Sequence, residues 1–217
     1  MAREVQNTNH DILTSRGTGN LSLTRNGKTE TYRMAWVSKW PLSIRITLLS
    51  SGIPVETIAA NGKSVTFVSH TGQHAPHTLN RPNPSLGRII SLPVKLRDII
   101  ALLTGRVPLR GSENVIWQMD EQHTSKLIFK NWWGISTEKI FLNKTHQVTE
   151  YWQLAAGTPP AIKLRFDEFK RFDKYTIAGK TIFTDSQNRR LVLQITSFTP
   201  NISLENKPQI FHLTEPG

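Results

Sequence analysis

The sequence predicts a mainly β protein in which antiparallel strands form a curved sheet or open barrel, with helices across its mouth. Short runs of alternating apolar and polar residues occupy most of the 217-residue chain. Turn signals such as Asn26-Gly27 and Asn61-Gly62 separate these runs. A single convincing helical segment near residues 94–104 interrupts the series, and more strands follow it. This order is typical of a sheet whose apolar face is covered by a helical insertion.

Composition restricts the class of protein. The net charge is +11, hydrophobic residues make up 37% of the chain, and cysteine is absent. No apolar run approaches the roughly 18 residues of a membrane-spanning helix. The absence of cysteine excludes disulfides and thiolate chemistry. A basic chain attracts nucleic acid, anionic lipid headgroups or acidic partners. The charge is spread along the chain, so both a generally basic surface and a dedicated anion site remain open.

The first strands lie before residue 70. A strand ends at the Asn26-Gly27 turn, and residues 29–37 predict the next one. The run 42–50 alternates strictly, which places its apolar residues on one face. The run 54–69 predicts two further strands that meet at the Asn61-Gly62 turn.

The connection Ser51-Gly52-Ile53-Pro54 is the most informative segment of the chain. Ile53 is a bulky apolar residue in a Gly/Pro-rich connection where polar residues are expected. Such a residue contributes little to the stability of the fold. It is suited to touching a membrane or an acyl chain.

The middle of the chain predicts a long irregular connection followed by helix. Prolines and glycines in residues 70–93 disfavour regular structure. Leu96, Ile99, Ile100 and Leu103 follow helical spacing, and Gly105 ends this helix. A second helical turn is predicted near 112–119, so the whole helical lid insertion covers about 94–119.

The remaining strands follow residue 124, and the tail from residue 199 is rich in proline and polar residues. These strands are predicted at 125–130, 137–142, 147–154, around 162–167, at 177–184 and at 189–198. A sheet that is apolar on one face and has so little helix either fills its interior with side chains or keeps a cavity for an apolar ligand. Periodicity alone favours the filled interior.

Four segments resemble the LolA/LolB-type lipoprotein carriers, and most closely the outer-membrane lipoprotein receptor LolB. They are the strand–tip–strand unit at 42–60, the helix and turn RDIIALLTGRVPL at 97–109, the strands from 125 onward and the closing hairpin at 180–198. The resemblance covers a single domain at 17–198. Residues 1–16 then form an N-terminal segment, and residues 199–217 form a C-terminal surface tail.

The resemblance implies an unclosed antiparallel β-barrel of about eleven strands, with capping helices around a hydrophobic cavity. It implies a non-enzymatic protein, with no cofactor and no metal, that binds the acyl chains of lipoproteins. Such a protein accepts lipoproteins from a soluble periplasmic carrier and delivers them to the inner leaflet of the outer membrane. We expect a periplasmic monomer, anchored by an N-terminal lipid whose cysteine is not in this sequence, that binds no nucleic acid.

The resemblance also assigns residues. Ile53 and Pro54 match the position of a membrane-insertion tip. Residues that share one face of the predicted strands and helix are candidates for lining the acyl cavity, although core packing explains each of them equally well. These candidates are Tyr32, Met34, Trp36, Leu42, Ile44, Ile46, Val65, Phe67, Ile99, Leu103, Ile140, Leu142, Ile162 and Leu164. The large amphipathic Trp36, Trp40, Trp132 and Trp133 suit either the core or a membrane interface.

An alternative function is a basic β-rich module that binds a polyanion, either nucleic acid or an envelope polymer. Residues 163–175 (KLRFDEFKRFDKY) interleave basic and aromatic side chains, as single-strand binding surfaces do. The acidic residues within this segment argue against that function. His70, His74 and His77 have the spacing of a metal site, but Gly72 and Pro76 break the helix that would align them. No G-x-S-x-G, P-loop, H-E-x-x-H or G-x-G-x-x-G motif is present.

Overall fold

A computed structural model of the chain describes residues 2–87, 93–111, 114–119, 125–155, 160–205 and 208–213. Within these ranges thirteen strands form one antiparallel sheet that does not close on itself. Their order across the sheet is β6-β5-β4-β3-β2-β1-β13-β12-β11-β10-β9-β8-β7. The described helices are α1 (Ala2–Asn7), α2 (Leu96–Leu103) and a 3₁₀ turn at Pro208–Phe211. None of the helices in these ranges is both long and apolar enough to cross a membrane.

The strands occupy the alternating runs of the sequence. Their bounds are β1 Thr14–Arg25, β2 Lys28–Lys39, β3 Ser43–Ser50, β4 Ile53–Asn61, β5 Val65–Ser69, β6 His77–Leu79, β7 Asn114–Met119, β8 Ser125–Lys130, β9 Ser136–Leu142, β10 Val148–Gln153, β11 Ile162–Phe172, β12 Tyr175–Asp185 and β13 Arg190–Pro200.

The mainly β, unclosed architecture confirms the predicted fold class, with two strands more than the eleven expected. β6 lies inside the segment 70–93, which was predicted to be irregular. β7 replaces the helical turn predicted near 112–119. Val115, Ile116 and Trp117 favour a strand, and pairing with β8 provides the backbone hydrogen bonds. Residues 112–113 of the predicted helical turn and residues 88–92 of the predicted connection lie outside the described ranges.

The hairpin turns alternate between the two ends of the sheet. Because neighbouring strands are antiparallel, the turns at 26–27, 51–52, 131–135 and 186–189 all lie at one end, which we call the upper end. The segment 70–76 between β5 and β6 lies there as well. The opposite, lower end carries the turn between β2 and β3 and the start of β1.

One face of the sheet, which we call the inner face, carries the core. Ile58, Phe67, Tyr151 and Leu164 lie on this face and are all less than 4% exposed. Helix α2 packs against it and is buried along nearly its whole length. Its apolar side chains face the core, whereas Arg97 is exposed and Asp98 is paired with Arg110.

The chain that follows α2 ties the helix to the N-terminal segment. The guanidinium of Arg106 donates hydrogen bonds to the backbone oxygens of Asn9, His10 and Ile12, at 2.8 to 3.2 Å. The same group lies over the ring of Trp40, 4.0 Å from its centroid. Burial lowers the pKa of Arg106, yet three carbonyls and an aromatic face compensate the buried charge. The N-terminal segment is therefore fastened to the end of α2.

A local distortion of the β11–β12 pair accompanies the unusual spacing of the phenylalanines in β11. Glu168 adopts a left-handed backbone conformation (φ +54°), and the pairing with β12 skips this residue. Gly179 of β12 is left out of the pairing as well, so the register does not shift, and both Phe166 and Phe169 pack against the core. Phe172 also packs against the core, where its ring meets that of Phe198 with centroids 5.6 Å apart. The three-residue recurrence is therefore a packing feature.

Gly17 allows the indole of Trp36 to lie across β1. A Cβ at Gly17 would clash with the Trp36 ring and with the Ser197 backbone oxygen. Trp36 is 2% exposed, and its Nε1 donates to the Oγ of Ser15 at 3.3 Å. Only a residue without a side chain fits between this ring and β13.

We predict that Gly17→Ala lowers the free energy of unfolding by about 2 kcal/mol, because the added methyl overpacks against a backbone atom and a buried ring. Urea denaturation monitored by circular dichroism measures this loss. Thr24→Ala, at a strand position with no such contact, is the control and should change stability by no more than about 0.5 kcal/mol. Equal stability of wild type and Gly17→Ala would show that β1 and β13 can separate at no cost.

Candidate functional site

A groove of about 620 Å³ opens on the inner face at the upper end of the sheet. It lies between strands β1–β4 and the segment 70–77, on the half of the inner face away from α2. Its apolar side chains are Leu21, Leu23, Tyr32, Leu48, Val55 and Ile58. Its polar side chains are Arg25, Glu30, Ser50, Glu56, Gln73, His74 and His77. Its volume lies within the roughly 300–1,000 Å³ typical of small-molecule sites.

Histidines of the segment 70–77 form one wall of the groove. His74 Nε2 lies 3.1 Å from Glu56 Oε2 on β4, and the His77 ring stacks on Phe67 with centroids 4.9 Å apart. The rings of His74 and His77 meet edge to face at 5.3 Å. His70 Nε2 lies 2.8 Å from Thr57 Oγ1. These three side chains attach the segment to the sheet, and the described residues contain no cluster suited to a metal ion.

The sequence provided no indication that the carboxylate of Glu56 lies beside these histidines. A backbone hydrogen bond at Ala75 and the nearby charge of Glu56 raise the pKa of His74. The other carboxylate oxygen, Glu56 Oε1, is buried and has no hydrogen-bond partner within the described ranges. Glu56 Oε1 is therefore an unpaired acceptor that is closed off from solvent.

Most of the residues predicted to line a cavity pack instead in the hydrophobic core. Tyr32 is the member of the predicted set that borders the groove, and Leu42 is half-buried in the turn before β3. The others are buried in one continuous cluster: Met34, Trp36, Ile44, Ile46, Val65, Phe67, Ile99, Leu103, Ile140, Leu142, Ile162 and Leu164. Their part in ligand binding stays a prediction.

A buried polar network stands beneath α2 in the other half of the inner face. Arg110 forms two hydrogen bonds with the carboxylate of Asp98, at 2.6 and 2.9 Å. Glu138 Oε1 accepts hydrogen bonds from Tyr151 Oη at 2.6 Å and from the Arg110 backbone N–H at 3.0 Å. Burial is the main cause that raises the pKa of Tyr151. Sequence reasoning missed this network because its members come from four separate segments.

A smaller hollow of about 150 Å³ lies where α2 ends, at the lower end of the sheet. Leu102, Val107, Phe166, Phe169 and Ala178 supply much of its apolar surface. The packed core around α2 separates this hollow from the groove at the upper end. The inner face is thus filled at its centre and open towards both ends.

Ile53 lies at the upper end beside the groove. Ser51 and Gly52, both with positive φ (50° and 83°), form the turn, and Ile53 pairs with Ser50 as the first residue of β4. The prediction that Ile53 lies within the connecting loop was therefore wrong, because the hairpin needs only two turn residues. Its side chain is nevertheless 68% exposed, and Pro54 is exposed as well.

The four tryptophans considered for a membrane interface separate into two groups. Trp36 belongs to the core, and Trp40 is half-buried between Arg97 and Arg106. Trp132 and Trp133, in the turn between β8 and β9, are 68% and 66% exposed.

The aromatic residues of the segment 163–175 are not arranged for stacking on bases. Phe166 is buried, and Phe169 and Phe172 are partly buried against the core. Arg165 lies 3.1 Å from Asp167, and Lys174 lies 2.9 Å from Asp11. The rings and several of the charges that suggested a polyanion site therefore have structural partners.

Comparison with solved structures identifies the fold. No protein-family model matches the chain, and no curated protein matches it. A LolA superfamily protein from Nitrosomonas europaea superposes with a TM-score of 0.62 at 13% identity, over 97% of this chain and 96% of the other. The chain shares the fold of this LolA superfamily protein. A DUF1329 family protein from Desulfovibrio piger also gives a TM-score of 0.62, at 12% identity, over 91% and 90% of the two chains. The resemblance to LolA/LolB-type carriers is confirmed at the level of the fold.

The wall formed by the segment 70–77 should respond to pH. Because the pKa of His74 is raised from 6.5 in the folded protein, its contacts with the Ala75 carbonyl and with Glu56 stabilise the wall at acid pH. That stabilisation should be lost as the pH rises through the raised pKa. We predict that amide hydrogen exchange in residues 70–76, corrected for its intrinsic pH dependence, becomes faster across this interval. In Glu56→Gln the dependence should flatten, and an unchanged profile in this variant would contradict the assignment.

Proposed function

We propose that this protein binds the acyl chains of lipoproteins without catalysis and delivers lipoproteins to a membrane. One observation supports the proposal above the others. The β3–β4 hairpin supplies Leu48, Val55 and Ile58 to the groove and carries the exposed Ile53 at its tip. An acyl chain that leaves the groove along this hairpin therefore reaches Ile53, the residue of the hairpin that is best placed to touch a bilayer.

The chemistry of the groove suits an apolar chain with a polar end. Each methylene that leaves water contributes about 0.8 kcal/mol, so a chain of ordinary length gains several kcal/mol from the apolar floor. Polar residues, including Arg25, Ser50 and Gln73, surround this floor. They suit the amide and ester groups at the head of an acylated peptide. Such binding depends mainly on area and is reversible, as transfer requires.

The finer assignments belong to the same proposal. We place the protein in the periplasm, where a soluble carrier passes it lipoproteins, and the inner leaflet of the outer membrane receives them. It would then act as LolB does, by accepting lipoproteins as a monomer that is held at the outer membrane. The LolA-superfamily fold and the position of Ile53 support this role.

We predict that Leu21→Lys weakens the binding of a dansyl-labelled fatty acid about tenfold or more, because an ammonium group on the groove floor replaces contact with several methylenes. Fluorescence titration of the delipidated protein measures the affinity. Leu13→Lys makes the same change at a residue that is 60% exposed near the lower end, and it should bind as wild type does. Equal affinity of the two variants would place the fatty acid elsewhere. Absence of saturable binding to the wild type would refute the proposed function.

We predict that Ile53→Glu keeps the affinity for the fatty acid but slows delivery of a triacylated lipopeptide to vesicles about tenfold, because a carboxylate at the tip opposes contact with the bilayer. Transfer is followed by dequenching of a fluorophore on the lipopeptide. Leu13→Glu introduces the same charge near the opposite end and should transfer at the wild-type rate. Unimpaired delivery by Ile53→Glu would remove the membrane role of this tip.

A further inference from the structure

We propose that the β8–β9 hairpin tip, residues 131–135, is a second membrane-contact site that docks on a bilayer with anionic headgroups. The site extends the membrane step of the proposed function and rests on it for its purpose. Its test, however, measures attachment to vesicles and does not require acyl binding.

The backbone of this tip is held rigidly. Asn131 Oδ1 accepts hydrogen bonds from the backbone N–H groups of Trp133 and Ile135, at 3.1 and 3.0 Å. The backbone oxygen of Asn131 accepts from Gly134 at 2.9 Å, and its N–H donates to the Ile135 oxygen at 3.0 Å. Gly134 supplies the positive φ of 76° that closes the turn. The side chains on this turn therefore have a fixed direction.

Three of these side chains face solvent although they are large and apolar. Trp132 is 68% exposed, Trp133 is 66% exposed and Ile135 is 57% exposed. The two indole rings lie against each other with their centroids 3.6 Å apart. A contiguous apolar patch held by a rigid turn marks an interaction site, because exposure of such side chains is costly without a partner. Tryptophan suits the boundary between headgroups and acyl chains, since its ring is apolar and its N–H is polar.

The position of the tip identifies a planar partner. The turn 131–135 lies at the upper end of the sheet, which also carries the exposed Ile53 and the opening of the groove. Two apolar tips on different parts of one sheet end can contact the same flat surface at once. A bilayer provides such a surface and also receives the cargo in the proposed function.

The charge at this end favours an anionic bilayer. Lys28 and Arg190 lie exposed at the ends of neighbouring upper hairpins, and Lys130 immediately precedes the tryptophan turn. Of the acids at this end, Glu30 lies 3.8 Å from Arg25, Asp185 lies 2.6 Å from Arg189, and Glu138 is buried. Among the described residues, the exposed charges of the upper end are thus mainly basic, within a chain of net charge +11. Basic residues beside a membrane each add attraction to anionic headgroups.

Vesicle flotation tests the site. Full-length protein is mixed with phosphatidylcholine vesicles that contain or lack phosphatidylglycerol, and the bound fraction is measured against lipid concentration. We expect Trp132→Ser/Trp133→Ser to weaken partition onto the anionic vesicles about tenfold or more, because it removes both aromatic anchors. Leu13→Ser removes an exposed apolar side chain near the lower end and should partition as wild type does. Ile135→Glu provides an independent variant of the tip and should also detach the protein.

The outcomes separate this site from the proposed function. The site is supported if both tip variants lose partition onto vesicles. Both variants must also keep the native circular dichroism spectrum and the wild-type affinity for the dansyl fatty acid. Partition equal to wild type in either folded tip variant overturns it, and so does equal binding of wild type to vesicles with and without phosphatidylglycerol. If sedimentation velocity shows a dimer that the double variant loses while vesicle binding persists, the tip is a protein interface and the proposal is wrong. If the wild-type protein does not bind the fatty acid, the proposed function is refuted, but vesicle flotation still tests the membrane-contact site.

Discussion

The need to cover one apolar face of a large sheet governs this structure. The described strands present large hydrophobic side chains to the inner face, and α2 has only eight residues with which to cover them. The helix is therefore buried on almost every side, and its ends require firm attachment. Arg106 fastens one end to the N-terminal segment, and the pair of Arg110 with Asp98 fixes the helix over the other half of the sheet. Removal of either attachment would leave a charge or several carbonyls buried without partners.

The short length of α2 also determines where the inner face of the sheet keeps open space. The centre of the inner face is packed solid, while hollows persist towards the two ends. The larger hollow is bordered by hairpins that also project apolar residues into solvent. The proposed binding and membrane-contact sites thereby lie at one end of the molecule, so a bound cargo would not have to cross the core to reach a bilayer. The same sheet that stabilises the fold sets the direction of the proposed transfer.

Much of the fold could be predicted from the sequence because strand alternation and turn residues are local signals. Eleven strands and the helix at 94–104 follow from such patterns, and the exposure of Ile53 follows from an apolar residue placed beside a tight turn. β6 and β7 were missed because short edge strands are held by pairing with a neighbour, which no local pattern records. The facing of residues such as Met34 and Phe67 could be predicted, but whether space remains beside them depends on packing across the whole sheet. The contact of His74 with Glu56 and the network at Glu138 join residues that are far apart in the sequence. Local residue spacing therefore cannot predict them.

A sheet that stays unclosed keeps two terminal strands. β6 is only three residues long, whereas β7 runs for six residues and exposes Ile116, Trp117 and Met119. In the described part of the chain, β7 hydrogen-bonds to β8 on one side only. Such a border is a template onto which a strand of another molecule can add, with aggregation as the result. The charge of +11 opposes this by mutual repulsion between copies, so the colloidal stability of the protein should depend on low ionic strength.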